Sequence, residues 1–297
     1  VSYPWIISDE RLVVDSMGMN RSVLHTKTGE WTAFPDDTTF KFPHIAAISN
    51  SKKWGLGYAM GEAKKDENGL DMVRIVAWNL ETGGAKEGGW IPGTSAVCMQ
   101  MSPNDKLLAV SGFNATIYIL DMETSSIKFE LKGHSMYCNE LAFSDDSKKL
   151  ISSSSDGTRR VWDLEKGKEQ YSIIDIGAED YAIVTPDQYY YSTKGARQNI
   201  HFVKGVEIFP FAQFDLKYNR PDIILERMSA ANQDMIKPYN LAYKKRLKRL
   251  GFSEDMLSGE FHMPEVQITN ASDFPITTSN NEAEIAVRCV DTKYKLD

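Results

Sequence analysis

Short apolar runs separated by polar turns fill the chain as far as about residue 205. The runs are rich in Val, Ile, Leu, Tyr and Ser and are too short for helices, so they predict β-strands. Between them lie polar turns such as Ser102-Pro103-Asn104-Asp105 and the tight turn Asp156-Gly157. The predicted strands cover residues 96–101, 107–110, 116–120, 140–143, 150–154, 158–162 and 181–184.

This pattern repeats with a spacing of 42 residues. The clearest unit runs from Gly133 to Asp163, and a shift of 42 residues places Leu120-Asp121 on Trp162-Asp163. Other copies end at Trp78-Asn79, near His25-Thr26 and near Phe202-Val203. The wider first spacing indicates an insertion around residues 64–69, with the composition of a hairpin tip. Several short strands per repeat predict a mainly β fold, with about four to five four-stranded propeller blades over residues 1–205.

Three dipeptides of the clearest unit resemble the signature of the WD-repeat (WD40) family: Gly133-His134, Asp156-Gly157 and Trp162-Asp163. In that family a His, a strand Ser or Thr, a turn Asp and the Trp form a hydrogen-bonded tetrad that locks one blade. The resemblance implies this structural role for His134, Ser152, Asp156 and Trp162. Buried imidazole and indole rings both need polar partners, which a tetrad supplies. A catalytic His134–Asp156 pair is the alternative, but it leaves the Trp unexplained.

One repeat earlier, the four tetrad positions hold Pro92, Val110, Asn114 and Leu120. These residue types cannot form the same hydrogen bonds, so we expect no tetrad in that blade.

Composition changes after Gly205. An aromatic-rich extended segment leads to Pro221, and short helices are predicted at 222–231 and 234–250, the second ending at Gly251. These elements form a predicted connector, residues 206–260. Alternating residues at 265–269 and 284–290 predict the first strands of an Ig-like β-sandwich module over 261–297. The basic run of the second helix, which we interpret as a solvated face, is Lys244, Lys245, Arg246, Lys248 and Arg249.

The connector sequence HFVKGVEIFPFAQFDLKYNRPDIILERM (201–228), with the later YKKRLKRLGF helix, resembles a segment of certain bacterial proteins. In those proteins it joins a WD-repeat propeller to a C-terminal caspase-like cysteine peptidase domain. The resemblance implies a non-catalytic region that recognises a protein partner and regulates the downstream peptidase or delivers its substrate. A free-standing WD-repeat scaffold without a peptidase is the alternative, and an enzyme acting from this chain is a third hypothesis.

Composition narrows the function classes. The net charge of -7 argues against nucleic acid or an anionic membrane as the main partner. The peptidase family's His-Gly and Ala-Cys pairs are absent, as are phosphate-loop and zinc motifs, so we predict no catalytic residues, cofactor or metal in this chain. We instead expect a protein partner on the loop-rich propeller faces. Three widely spaced cysteines favour a reducing compartment such as the cytoplasm.

Two expectations concern the ends of the chain. Blade-like sequence already at Val1 predicts further blades upstream, or a small propeller completed by a partner. The tail 292–297 contains Lys293 and Lys295. The caspase-like peptidases of the proteins that the connector resembles commonly cut after basic residues, so this tail suggests proteolytic processing nearby. A chain end that does not arise from processing fits the sequence equally well.

Overall fold

The computed structural model describes residues 3–8, 10–15, 21–33, 44–82, 84–93, 96–204, 207–228, 233–257, 265–270 and 285–290. The chain divides into two compact units, Val1–Tyr243 and Lys244–Asp297. The predicted boundaries at 205 and 260 stay predictions. The basic tail at 292–297 and the start at Val1 lie outside the described residues.

Four antiparallel sheets with consecutive strands form the blades. Blade 1 contains β1 (Tyr3–Ser8), β2 (Arg11–Asp15), β3 (Arg21–His25) and β4 (Trp31–Ala33). Blade 2 contains β5 (His44–Ile48), β6 (Trp54–Lys65), β7 (Asp71–Asn79) and β8 (Ala85–Pro92). Blade 3 contains β9 (Ala96–Met101), β10 (Leu107–Gly112), β11 (Ile117–Asp121) and β12 (Ser126–Leu131). Blade 4 contains β13 (Cys138–Phe143), β14 (Lys149–Ser154), β15 (Thr158–Asp163) and β16 (Lys168–Ile176). The mainly β, blade-forming fold is confirmed.

The fifth repeat unit does not form a sheet of its own. Its strands β17 (Asp180–Val184) and β18 (Tyr190–Ser192) add to β16, so that blade 4 belongs to a six-stranded sheet. The chain then enters α1 (Lys194–Asn199), capped by the Thr193 side chain, and the hairpin β19 (His201–Lys204) and β20 (Glu207–Pro210).

The turns show why the repeat spacing is regular. The turn after the first strand of each unit places a residue in the left-handed region in four successive copies, at Lys52, Asp105, Ser147 and Gln188. The insertion in blade 2 lengthens β6 and β7 into a hairpin that closes at Asp66–Leu70. The predicted hairpin tip around 64–69 therefore corresponds to an observed turn.

Apolar residues from facing sheets join the blades one to the next. Val13 and Val23 of blade 1 pack with Trp78 of blade 2. Two further clusters join blade 2 to blade 3 and blade 3 to blade 4. On the far side of blade 4, Val161, Tyr171 and Ile183 pack instead against Ile224 of α3 (Pro221–Met228). Helix α3 therefore occupies the face on which a next blade would stack.

The connector is more helical than the sequence predicts. Helix α2 (Phe211–Tyr218) forms where an extended segment is expected, and its Phe214 ring packs 5.3 Å from that of Phe202. Helix α3 and helix α4 (Gln233–Leu250) correspond to the two predicted helices. Helix α4 ends at Gly251, whose φ is 76°, and a short 3-10 turn follows at Asp255–Leu257.

The second unit contains one described strand pair. Strands β21 (Glu265–Ile268) and β22 (Val287–Val290) are antiparallel, at the positions where strands are predicted. The rest of the predicted Ig-like module lies outside the described residues. Within the described ranges, none of the helices is long and apolar enough to span a bilayer.

Candidate functional site

The four sequence-predicted tetrad residues come from separate elements of blade 4 and meet in its interior. His134 lies in the link between β12 and β13, Ser152 in β14, Asp156 in the β14–β15 turn and Trp162 in β15. His134 follows Gly133, where an added Cβ would lie 2.7 Å from the Arg160 guanidinium. A side chain at position 133 would therefore require the Arg160 side chain to shift.

Hydrogen bonds connect the four side chains in series. Trp162 Nε1 donates to Ser152 Oγ at 2.8 Å, and Ser152 Oγ lies 2.8 Å from His134 Nε2. His134 Nδ1 lies 2.8 Å from Asp156 Oδ2. Because an ionised carboxylate can only accept, His134 carries its proton on Nδ1 and donates it to Asp156. In the neutral imidazole Nε2 is then an acceptor, so the Ser152 hydroxyl donates to it.

The electrostatics agree with a neutral imidazole beside a carboxylate. Burial lowers the pKa of His134, and this outweighs the opposing effect of Asp156. Burial alone would raise the pKa of Asp156, but hydrogen bonds from the Thr158 hydroxyl, the Ser135 N–H and His134 hold this pKa far below its ordinary value. The carboxylate is thus ionised and saturated with donors, as a buried charge requires.

The order Ser152, His134, Asp156 is also that of a Ser-His-Asp catalytic triad. The surroundings argue against this chemistry. Ser152 and the His134 side chain are fully buried, and the Ser152 oxygen is occupied by the Trp162 N–H. A carbonyl substrate could reach the Ser152 oxygen only if the blade opened.

The corresponding positions of blade 3 hold an apolar core. Val110 and Leu120 are fully buried there. Asn114 donates to the Tyr118 hydroxyl at 2.7 Å and does not join a buried network. The same blade geometry is therefore built with two different interiors.

The cysteines do not form a reactive centre in the described part of the chain. Burial raises the pKa of Cys138 to about 11 and also raises the pKa of the half-buried Cys98. Cys289 lies on β22 and is exposed, unlike the half-buried Cys98 and the buried Cys138. Among the described residues, no group of three His, Cys, Asp or Glu side chains is placed to hold a metal ion.

A cavity of about 470 Å³ lies between α3 and the start of α4. Three of its polar residues are engaged with one another, because Arg220 forms two bonds to Asp222 at 2.8 and 2.9 Å and Asn240 donates to the same carboxylate. The Arg220 guanidinium also lies 4.0 Å from the centre of the Tyr243 ring. This network holds the two helices together.

Sequence reasoning missed an exposed apolar cluster at the tetrad end of blades 3 and 4. Phe113, in the β10–β11 turn, is 64% exposed, and Met136, in the β12–β13 link, is 46% exposed. The Phe113 ring lies 5.7 Å from that of Tyr137 in an edge-to-face arrangement. We call Phe113, Met136 and Tyr137 the aromatic cluster. The sequence feature that could have revealed the cluster is Phe113 itself. It is a large apolar residue in a turn, between the small Gly112 and the polar Asn114.

Comparison with known proteins identifies one repeat directly. The family model described as "WD domain, G-beta repeat" matches residues 125–163, which contain the whole tetrad. This match covers β12 to β15.

Related proteins are similar to limited parts of the chain. THO complex subunit 6 homolog of Danio rerio is 36% identical over 75 residues, 25% of this chain and 23% of that protein. Small ribosomal subunit protein RACK1y of Oryza sativa subsp. japonica is 32% identical over 112 residues, 36% of this chain and 32% of that protein. MST50-interacting protein 11 of Pyricularia oryzae is 28% identical over 151 residues, 48% of each chain. The chain thus spans less than half the length of these relatives, and its residues 125–163 are a WD repeat.

Proposed function

We propose that this chain is a protein-interaction scaffold, and that the aromatic cluster is the centre of its contact surface. The observation that carries the proposal is the exposure of Phe113 and Met136 beside the Tyr137 ring at one end of the blades. Exposed aromatic residues and Met are enriched where proteins bind one another. Grouped exposed apolar residues are uncommon on surfaces that only face water.

Hydrogen bonds fix the main chain at Met136 and Tyr137, which favours binding because less conformational freedom is lost. The Ser154 hydroxyl lies 3.0 Å from the carbonyl oxygens of both Met136 and Tyr137. The Ser155 N–H donates to the Tyr137 carbonyl.

We assign the tetrad a supporting role in this surface. Asp156 accepts from the Ser135 N–H as well as from His134, so it anchors the β12–β13 link directly beside Met136. His134, Ser152, Asp156 and Trp162 thus stabilise blade 4 and position the link, and none of them contacts the partner.

The names of the relatives agree with a scaffold. They describe a subunit of the THO complex, a small ribosomal subunit protein and an interacting protein. These names describe proteins that work within assemblies, and they support assembly as the class of function here.

Introducing a negative charge into the aromatic cluster tests the proposal. Phe113→Glu should remove a defined set of partners from affinity purification followed by quantitative mass spectrometry. Val203→Glu is the matched control, since Val203 is 68% exposed on β19, away from the cluster sequence. If both variants retain the wild-type partner set, the aromatic cluster is not the contact surface.

The connector favours one finer hypothesis, that the scaffold serves a caspase-like cysteine peptidase in the same polypeptide or in a bound partner. Its support is the resemblance of residues 201–228 and 243–252, which follow the blades as helices and a hairpin. We also propose the domain boundaries at residues 205 and 260 that the sequence predicts, and a cytoplasmic location for the protein. After purification from the native cells, a Cys-directed peptidase probe should label either the polypeptide that contains this sequence or one that co-purifies with it, and labelling of neither would refute the link.

A further inference from the structure

A depression of about 190 Å³ lies between blades 2 and 3, at the end of the blades where the β9–β10 turn lies. Its floor is apolar and is formed by Trp54 and Ala77 of blade 2 with Met101 and Met122 of blade 3. These four residues belong to the core cluster that joins the two blades or pack against it. The depression is therefore the open end of the interface between the blades. We call it the anchor pocket.

The size of the anchor pocket suits a single side chain. Small-molecule sites usually have volumes of about 300–1,000 Å³, which is larger than this depression. Protein interfaces, in contrast, commonly centre on one apolar side chain that fills a pocket on the partner. A floor that contains two Met residues adapts well to such a side chain, because Met is flexible and polarisable.

A second depression of about 230 Å³ shares Met101 with the anchor pocket. The polar residues in its lining are Ser49, Asn50, Lys52 and Gln100. An apolar depression and a polar depression thus lie side by side. An extended segment that crosses both would place an apolar and a polar residue next to each other.

Exposed lysines surround the two depressions. Lys86 and Lys106 line the anchor pocket, and Lys52 lines the second depression. We call these three residues the lysine rim. The Lys86 Nζ atom lies 4.7 Å from the centre of the Trp54 ring, which places a cation against the apolar floor. Within the described part of the chain, none of the three lysines forms an ion pair.

Acidic residues balance this charge only in part. Asp105 and Glu123 are the two acidic residues in the lining of the depressions. The Asp105 carboxylate already accepts from the N–H groups of Asn50 and Ser51, at 2.6 and 2.9 Å. Three lysines therefore face two carboxylates, on a chain whose net charge is -7. An occupant with negative charge beside an apolar side chain complements this surface.

We propose that this end of blades 2 and 3 binds a short acidic segment of a protein partner. An apolar side chain of the segment enters the anchor pocket, and carboxylates next to it pair with the lysine rim. The net charge of the chain disfavours nucleic acid and anionic membranes as the occupant. The pocket for one side chain favours a peptide.

Strand β10 separates this site from the aromatic cluster. The turn that contains Asp105 precedes β10, and Phe113 follows it. At about 3.3 Å per residue, the two ends of this strand lie about 17 Å apart. The site is therefore a second contact surface, at the opposite end of blade 3.

Peptide phage display tests the proposal. The probe is a library of random short peptides, selected on the 297-residue chain. Enriched peptides should carry Leu, Met or Phe beside Asp or Glu. They should lose binding to Lys86→Glu and to Lys106→Glu but bind the matched control Lys168→Glu. Lys168 is an exposed lysine of blade 4 that lines neither depression.

Fluorescence anisotropy of an enriched peptide measures the effect. Lys86→Glu should weaken binding roughly tenfold or more, because a repulsion replaces an attraction at short range. Added salt should weaken binding to the wild type. Both rim variants should keep the wild-type unfolding temperature, since Lys86 and Lys106 are exposed.

Each contrary outcome is distinct. Enriched peptides without acidic residues, or equal binding by Lys86→Glu and Lys168→Glu, would overturn the proposal. Binding of phosphatidylserine vesicles or single-stranded DNA that Lys86→Glu abolishes, without any such peptide, would show that the site recognises phosphate and not a peptide. The aromatic cluster is tested by Phe113→Glu and its partner set, so failure here leaves that proposal intact.

Discussion

At the residue scale, the tetrad shows how a buried charge is tolerated inside a blade. The Asp156 carboxylate accepts from His134, from the Thr158 hydroxyl and from the backbone N–H groups of Ser135 and Thr158. Without the carboxylate, the fully buried His134 imidazole would keep only the Thr158 hydroxyl, 3.2 Å from Nδ1, as a partner on that side. The tetrad is thus a set of mutually dependent groups, and its members should fail together.

Asp156→Ala should therefore destabilise the protein by about 3 kcal/mol, because four donors, one of them on the fully buried His134 side chain, lose their acceptor. Urea unfolding measures the loss. The matched control is Asp146→Ala, since Asp146 also accepts a hydroxyl and an N–H in a turn of blade 4 but is exposed. Equal losses in both variants would contradict the role of the buried network.

The tetrad also predicts a pH dependence of stability. His134 is neutral in the folded state because burial lowers its pKa, so the unfolded chain binds an extra proton once the pH falls below 6.5. Stability should decrease as the pH falls from neutral to about 5. The depressed pKa of Asp156 adds a second loss below pH 3.8. Urea midpoints should show the first loss in the wild type and a flatter profile in His134→Gln, and identical profiles would contradict it.

Thiol reactivity separates the three cysteines. Cys98 and Cys138 have raised pKa values in an apolar interior, whereas Cys289 is exposed. Ellman's reagent should react quickly with one thiol in the native protein and with three in urea. Cys289→Ser should abolish the fast reaction. Two fast thiols in the native wild type would show that the blade 3–4 interior is accessible.

At the element scale, close approach between blades places demands on single backbone positions. Gly89 has a φ of 112°, and an added Cβ would lie 2.6 Å from the Ser125 carbonyl oxygen of blade 3. Gly69 has a φ of 80° and open space around it. The two glycines share a backbone requirement, but only one lies against a neighbouring blade.

Gly69→Ala should cost about 1 kcal/mol, from the left-handed backbone alone. Gly89→Ala should cost about 1–3 kcal/mol more, because the backbone of blade 3 must move to accept the methyl group. Thermal unfolding of the two variants gives the comparison. Equal losses would mean that blades 2 and 3 are not packed as closely as described.

Local patterns predicted the elements that local physics controls. Repeat spacing located the blade strands, because turn length and strand period can be read from the sequence. The four tetrad residues were predicted instead from the resemblance to the WD-repeat signature. Helix α2 escaped prediction because its aromatic residues also suit a strand, and its packing of Phe214 and Tyr218 on Phe202 is non-local. The aromatic cluster escaped for the same reason, since exposure of Phe113 depends on which link lies beside its turn.

At the scale of the whole molecule, the fifth repeat unit shows the limit of repeat reasoning. Its sequence keeps the hairpin and the left-handed turn residue Gln188, yet β17 pairs with β16 and continues the sheet of blade 4. Helix α3 then fills the face where another blade would stack. Whether a unit adds its strands to the preceding sheet or forms a sheet of its own depends on contacts between units. The pattern of one unit does not contain that information.

The face of blade 4 that points away from blade 3 packs against Ile224 of α3. The aromatic cluster lies at the turn end of blades 3 and 4, and it is separate in sequence from this contact. This arrangement leaves the proposed contact surface free to bind while the blade faces provide stability.

Site-specific photocrosslinking tests the central claim most directly. A photoreactive residue at Phe113 should form crosslinks to a partner protein in the cells that produce this chain, and the same probe at Val203 should not. Introducing Asp156→Ala beside the Phe113 probe should reduce the crosslink yield, because the β12–β13 link loses its anchor. Crosslinks of equal yield from both positions, or none from Phe113, would contradict an interaction surface at the aromatic cluster.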